Sequence, residues 1–234
     1  MKLGIIGGGR AAWAFGSTWR RIGWPLAGVS TRSASPIAAL LGTPAEIGDA
    51  DLLLLAVSDR ALHEVAIPKT RAIVFHCSGI HTAMHGGFSL HPLKALPPVG
   101  EPSDLRDTLL VFEGAHREMA QEIARAAGAR FAEIDAAAKT RYHAGAVFGS
   151  NYVAALLDVA RELIAVAGAR EDIAALARSA IDNWLAHDDA RRFTGPAARG
   201  DQAVLERHMA ALADSPELAA IYRLLAARIV AAAK

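Results

Sequence analysis

Short apolar runs alternate with amphipathic segments along the first half of the chain. "KLGII" at residues 2–6 is apolar and partly β-branched, as a strand buried on both faces would be. In "RAAWAFGSTWRRI", residues 10–22, apolar positions recur at helical spacing. "LAGVS", residues 26–30, is a second buried run after Gly23 and Pro25. Strand, glycine turn, helix and strand in this span have the size of one βαβ unit. "ADLLLLAVSD" at 50–59 predicts a third strand, "RALHEVAI" at 60–67 a short helix, and "RAIVFHCSG" at 71–79 a strand with a polar end. "TLLVFEG" at 108–114 and "RFAEID" at 130–135 predict two more strands, flanking a helical pattern at 115–129. The rhythm predicts an α/β fold, a doubly wound Rossmann domain over residues 1–134.

From Asp135 the rhythm changes. Asp135 suits an N-cap, and residues 136–168 run to Gly168 without a proline. One helix of about 30 residues would be about 45 Å long, too long for one layer of the first domain. It is expected to cross into a second, all-helical domain, residues 135–234. "REDIAALARSAIDNWLA" at 170–186 and the stretch 201–234 are helical by pattern, with "HDDARRFTGPAARGD" at 187–201 as the polar loop between them. The many alanines permit close helix contacts, as in a dimerising bundle.

Composition narrows the function classes. The chain is 53% hydrophobic and 21% charged, which supports a packed core over disorder. Lys+Arg is 25 against Asp+Glu at 24, so bulk charge argues for neither nucleic acid nor an anionic membrane. A single cysteine, Cys77, forms no internal disulfide and suits a reducing compartment. No apolar run has the length of a membrane span, and the N-terminal run stops at glycines instead of continuing as a signal peptide would. A cytoplasmic location is expected.

The glycines after the first strand carry the strongest chemical signal. Gly7, Gly9 and Ala12 fit G-x-G-x-x-G/A. Gly7 makes the tight turn, Gly9 leaves bare backbone for a pyrophosphate, and Ala12 allows close helix–strand packing. The amides of Arg10 and Ala11 then point from a helix N-terminus toward the phosphates. At the end of the second strand an NAD site carries Asp or Glu. Here the residues are Ser30, Thr31 and Arg32, two hydroxyls and a cation, which suit the 2′-phosphate of NADP. Val57, Ser58, His76 and Cys77 fall at later strand ends, where such a cofactor would continue.

"HCSG", "SLHPL", "YHAGAVFGSNY" and "FTGPAARGD" behind this loop resemble a family of bacterial Rossmann-like proteins with a C-terminal domain of unknown function. More distantly the chain is similar to pyrroline-5-carboxylate reductase, 6-phosphogluconate dehydrogenase, prephenate dehydrogenase and the deazaflavin-dependent NADP oxidoreductases. The resemblance implies an N-terminal NADP-binding domain, an all-helical second domain, and dimerisation through the latter. It supplies no substrate. By similarity to prephenate dehydrogenases, Ser78 and His91 are expected to contact the substrate.

Hydride transfer at a carbon bearing oxygen or nitrogen needs a proton partner. His91, fixed before a proline, is the first candidate, although a histidine there could equally satisfy a turn. On the expected long helix, His143 and Ser150 are seven apart and nearly in line, with Lys139 one turn before and Asn151 adjacent. In relatives of the 6-phosphogluconate dehydrogenase type this helix faces the nicotinamide. His143 and Asn151 interrupt an apolar helix and are candidates; Lys139 reads equally well as solvated. Arg199 and Asp201 read best as an ion pair in a loop. His76, Cys77, His81, His85 and His91 invite a metal reading, but their spacing fits no standard site, and no metal is expected.

The expected function is an NADP-dependent oxidoreductase acting on a small polar substrate in an interdomain cleft, with His91, Ser78, His143 and Asn151 as catalytic candidates. Two alternatives remain at this level. One is a non-catalytic NADP-binding sensor; the other is an assembly protein with a vestigial nucleotide site.

Overall fold

The computed structural model of the chain describes residues 1–168 and 172–233. Residues 170 and 171, the start of one expected helix, and residue 234, the end of another, lie outside the described residues. The chain divides into two compact units, Met1–Val153 and Ala154–Lys234.

The first unit is built on a seven-stranded sheet: β1 (Leu3–Ile6), β2 (Leu26–Ser30), β3 (Leu52–Leu55), β4 (Ile73–His76), β5 (Phe88–Leu93), β6 (Leu109–Gly114) and β7 (Arg130–Glu133). Its spatial order is β2-β1-β3-β4-β5-β6-β7. All neighbours run parallel except β5 and β6. The first unit thus has the expected α/β architecture, with helices α1 (Arg10–Arg21), α2 (Ile37–Leu41) and α3 (Arg117–Ala127). β2 and β3 flank β1 on opposite sides, so the strand order reverses at β1, where open α/β sheets bind ligands.

One face of the sheet carries the main core. Leu3, Ile5, Leu54, Phe75, Phe88 and Phe112 pack with Phe15 and Trp19 of α1 and Ile123 of α3. Leu53, Leu55, Leu62 and Val74 form a smaller cluster on the other face. The continuous apolar reading of β3 follows, because its residues are buried on both sides.

Several expectations are revised. "RALHEVAI" forms only a single 3₁₀ turn, Asp59–Ala61; Leu62, Val65 and Ile67 pack onto the smaller cluster from an irregular segment that Pro68 ends. β5 escaped the sequence reading, since Pro92 argues against a strand. It is tolerated because β4 pairs only with Phe88 and Ser89, leaving that edge of β5 free from Leu90 on.

The expected long helix is broken. A 3₁₀ turn at Ala136–Ala138 leads into α4 (Lys139–Phe148), and α5 (Asn151–Leu163) follows after Gly149 and Ser150. The compact units accordingly divide after Val153, where the sequence reading placed the boundary at 134/135. The cause is Lys139, 1% exposed, which ties α4 to the sheet of the first unit.

The regular elements among the second unit's described residues are all helical. The unit holds most of α5, then α6 (Ile173–Ala186), α7 (Gly195–Arg199), α8 (Gln202–Ala211) and α9 (Pro216–Ala232). Ala197 is its one buried residue among those described. No described helix is long and apolar enough to cross a membrane.

Candidate functional site

Two groups of residues lie along the carboxyl edge of the sheet. The register aligns that edge: Ile6 lies opposite Leu55, Leu55 opposite His76, and His76 opposite Ser89. From β1 to β5 is three strand spacings, about 14 Å.

The first group surrounds the glycine turn. Gly7 has φ of +126°, and a Cβ there would stand 2.2 Å from the Ala56 carbonyl oxygen, so only glycine fits. Gly9 caps α1 without a side-chain hydrogen bond, and no acidic residue occupies the first helical turn. The leading amides of α1 are therefore free to bind an anion. Ala12 is fully buried, as close helix–sheet packing requires, and Arg10 donates from Nη1 to the Leu96 carbonyl at 3.3 Å. A cavity of about 720 Å³ opens here, lined by Gly7, Gly9, Ser30, Thr31, Arg32, Val57 and Ser58, among others. Ser33 and Ser35 add hydroxyls beside Arg32. Bare glycine backbone, an uncapped helix end and a cation with hydroxyls beyond β2 fit a phosphorylated dinucleotide.

The second group lies above β4 and β5. β4 stops at His76 while β5 continues to Leu93, and the loop after β4 and helix α4 fill the gap. Alternation along β5 sends Phe88 and Leu90 to the main core and Ser89 and His91 to the opposite face. The same alternation on β6 places Glu113 beside Ser89, its register partner.

This opposite face is polar yet buried. Lys139 Nζ donates to Ser89 Oγ and lies 3.8 Å from Glu113 Oε2. Glu113 also accepts the Ala83 amide at 2.7 Å, and Ser89 Oγ donates to the Ser78 carbonyl at 3.2 Å. Burial pushes the Lys139 ammonium below its ordinary pKa, with Glu113 opposing that shift. Lys139 is thus not the solvated residue that one sequence reading allowed.

His76 shapes the loop. Its Nδ1 accepts the Ser78 amide at 3.2 Å, so its proton is on Nε2, which donates to the Thr82 carbonyl at 2.9 Å. Burial lowers its pKa to about 4. A group lowered in the fold contributes stability that is complete above its unfolded pKa and is lost as pH falls. Between about pH 6.5 and 4 the His76 contribution, about 3 kcal/mol, is expected to disappear. Urea titrations across that range should show the midpoint falling with pH. His76→Gln, which cannot take up a proton, should flatten the dependence; an unchanged slope would refute the assignment.

Ser78 Oγ accepts the amides of Ile80 and His81 at 3.3 and 3.1 Å, so this hydroxyl staples the loop. Burial pushes the Cys77 thiol up to about 12, which leaves it unreactive at neutral pH. His91 Nδ1 is 2.6 Å from the Tyr142 hydroxyl, and its ring meets His143 edge-on at 5.8 Å. Gly79 packs between the two imidazoles; a Cβ there would stand 2.3 Å from His143 Cδ2 and 3.0 Å from His91 Nε2. Burial, then His143 and Lys139, lower the His91 pKa to about 4, against an opposing influence of Asp59.

The structure thus joins His91, His143 and the Ser78–Gly79 loop within the first unit. Ser150 and Asn151 are elsewhere in their bonding: Ser150 Oγ donates to the Ala146 carbonyl at 2.6 Å and lies 2.9 Å from Asn151 Oδ1. The break at Gly149–Ser150 ends the helical face that was expected to align Ser150 with His143. The histidines considered for a metal do not converge, since His76 bonds Thr82, His81 pairs with His63 at 3.2 Å, and His91 bonds Tyr142. Ser89, Glu113 and Tyr142 were missed by the sequence reading. The signal available was alternation in "SLHPL" and "LLVFEG", which puts Ser89, His91 and Glu113 on one face.

A family model for a domain of unknown function (DUF2520) matches residues 109–229, just over half of the chain. No curated protein matches it. Among solved structures, a candidate NADP oxidoreductase from Bacteroides fragilis is 22% identical with a TM-score of 0.83, covering 98% of this chain and 97% of that one. A Thermotoga maritima protein is 20% identical at a TM-score of 0.73, covering 99% and 98%. The reductive aminase from Aspergillus terreus, solved with NADPH and ethyl levulinate, is 17% identical at 0.66, covering 98% and 93%. At these identities the likeness establishes the fold.

Proposed function

The chain belongs to the family of the domain of unknown function DUF2520, and from that premise we propose that it is an NADP-dependent oxidoreductase acting on a small polar substrate. The observation that carries the reading is the uncapped N-terminus of α1 behind Gly7 and Gly9, opening on the cavity that Thr31 and Arg32 line. The NADPH bound by the structurally similar reductive aminase supports it.

The bound dinucleotide would supply the hydride chemistry. Gly9 and the amides of Arg10 and Ala11 hold its pyrophosphate, and Thr31, Arg32 and Ser35 hold its 2′-phosphate. Val57 and Ser58 continue the binding edge toward β4. His76 holds the 77–82 loop in place. His91, half-buried beside Gly79, meets the reacting heteroatom, and His143 walls the same space.

Arg32 is exposed and makes no ion pair among the described residues, so its charge is free for a ligand. Arg32→Ala is expected to weaken NADPH by roughly 1.5–3 kcal/mol, about one to two decades in affinity, and to leave NADH nearly unchanged. Calorimetric titration with both cofactors checks this. Equal losses for the two would remove Arg32 from the 2′-phosphate site. NADPH binding with no oxidation against any carbonyl or imine acceptor would favour the sensor alternative.

The second unit is proposed to self-associate. Trp184 is 56% exposed and Leu224 68%, and a groove between α8 and α9 is lined by Leu205, Met209, Ala226 and Val230. A helical unit with almost nothing buried needs a partner surface to be stable, and a second copy supplies it by symmetry. Sedimentation should give a dimer, and a monomer at micromolar concentration would refute this.

A further inference from the structure

A neutral imidazole has one nitrogen that donates and one that accepts, and whatever bonds to the first nitrogen decides what the second can do. His91 is half-buried on the polar face of β5, and its Nδ1 is 2.6 Å from the Tyr142 hydroxyl. Tyr142 makes no other hydrogen bond among the described residues. Donation of the phenolic proton to Nδ1 satisfies both groups. The reverse arrangement, Nδ1–H to the phenol oxygen, leaves the phenolic proton without a protein acceptor in a half-buried position. Burial also pushes the Tyr142 phenol up to about 12, so it keeps its proton throughout the neutral range.

We propose that Tyr142 is a positioning residue that holds His91 as the neutral tautomer with its proton on Nε2, so that the site offers a hydrogen-bond donor to a carbonyl oxygen. The substrate part of this inference rests on the oxidoreductase reading; the residue part rests on the geometry of the first unit alone. Nε2 lies on the Gly79 side of the ring, where only the absence of a side chain on Gly79 leaves room for the His91 and His143 rings, and His91 itself is only half-buried. The groups facing the ring agree with the neutral form. His143 and Lys139, both on α4, disfavour a second proton on it, and only Asp59, from the turn after β3, acts the other way.

The consequence is a choice of substrate class. An Nε2–H donor strengthens its bond as negative charge grows on a carbonyl oxygen that receives a hydride. It meets an iminium badly, because that nitrogen is cationic and has no lone pair to accept the bond. The neutral ring lends this bond without giving up its Nε2 proton; the proton that completes the alcohol comes from a water molecule, which leaves as hydroxide. The site is therefore built for a carbonyl–alcohol pair, an aldehyde or ketone and its alcohol.

The test reads the tautomer directly and needs neither substrate nor cofactor. Full-length protein labelled with ¹⁵N-histidine is examined by long-range ¹H–¹⁵N correlation, with the His91 signals identified by their loss in His91→Gln. At neutral pH the expected result is an unprotonated Nδ1 and a protonated Nε2. Tyr142→Phe should yield a mixture of tautomers and raise the titration midpoint of His91 by about one pH unit. A purely structural tyrosine would move neither. An Nδ1–H tautomer or an imidazolium in the wild type overturns the proposal, and so does a Tyr142→Phe spectrum identical to the wild type. Should the variant fail to fold, the wild-type tautomer alone decides. NADPH titration of the unlabelled protein is scored separately: absence of binding overturns the oxidoreductase reading, and an Nδ1–H tautomer with NADPH bound overturns this inference alone. In an NADPH-oxidation assay, carbonyl acceptors should be turned over faster than preformed iminium acceptors; the opposite order overturns the substrate class.

Discussion

Valine at position 9 is expected to abolish dinucleotide binding while leaving the fold intact. The two halves of that expectation have separate physical grounds. A Cβ on Gly9 meets nothing within 4 Å, and the backbone there, with φ of −92° and ψ of −171°, is an extended conformation that valine adopts readily. Nothing in the protein resists the side chain. It stands over the leading amides of α1, where a pyrophosphate must lie to be bound. Losing two charge-assisted bonds from such amides costs roughly 3 kcal/mol or more, at least about 100-fold in affinity. Gly7→Ala supplies the contrast. Its Cβ would strike the Ala56 carbonyl at a φ that non-glycine residues avoid, so stability falls there. Calorimetry with NADPH and urea unfolding on both variants separate the two roles. If Gly9→Val binds NADPH as the wild type does, the glycines are a turn and nothing more.

Lys139→Met should produce the largest loss of stability of any substitution on α4. Lys139 is 1% exposed and lies between Ser89 and Glu113. Removing the cation leaves the Glu113 carboxylate buried with only the Ala83 amide for company. Breaking one side of such a pair costs about 3–5 kcal/mol. Glu113→Gln should cost a similar amount, because it strands the ammonium instead. The double variant should recover much of the loss, since no unpaired charge remains. Urea unfolding of the four proteins makes the cycle. Single variants within about 1 kcal/mol of the wild type, or losses that simply add, would show that the pair does not hold α4 to the sheet. The same helix carries Tyr142 and His143, so the ion pair sets where both rings meet His91.

Much of the first unit was legible in the chain itself. β1, α1, β2, β3, β4, β6, α3 and β7 follow from runs whose burial is set locally, by β-branched and apolar residues between glycines and polar ends. The turn at Gly7 was equally plain from the spacing of Gly7, Gly9 and Ala12 after the first strand, and its positive φ and the close approach of Ala56 exclude any side chain there. What escaped was contributed by partners distant in sequence. "FSLHPL" looks like a poor strand until the antiparallel ladder from Leu109 to Gly114 pairs with it. Lys139 looks like a solvated residue until Glu113 and Ser89 arrive beside it from two different strands.

The continuous helix expected from Asp135 was a fair reading of a proline-free stretch, yet it breaks at Gly149–Ser150. Helix propensity is worth tenths of a kcal/mol per residue, so a glycine and a serine at one point suffice where the preceding turns are already anchored to a sheet. Local patterning therefore determined the parallel strands, the glycine turn and the helical character of the second half, because each depends on neighbours within one element. Tertiary structure alone decided the buried polar face of β5 and β6 and the pairing of His91 with Tyr142, because each of those contacts joins residues from separate elements, up to 51 positions apart.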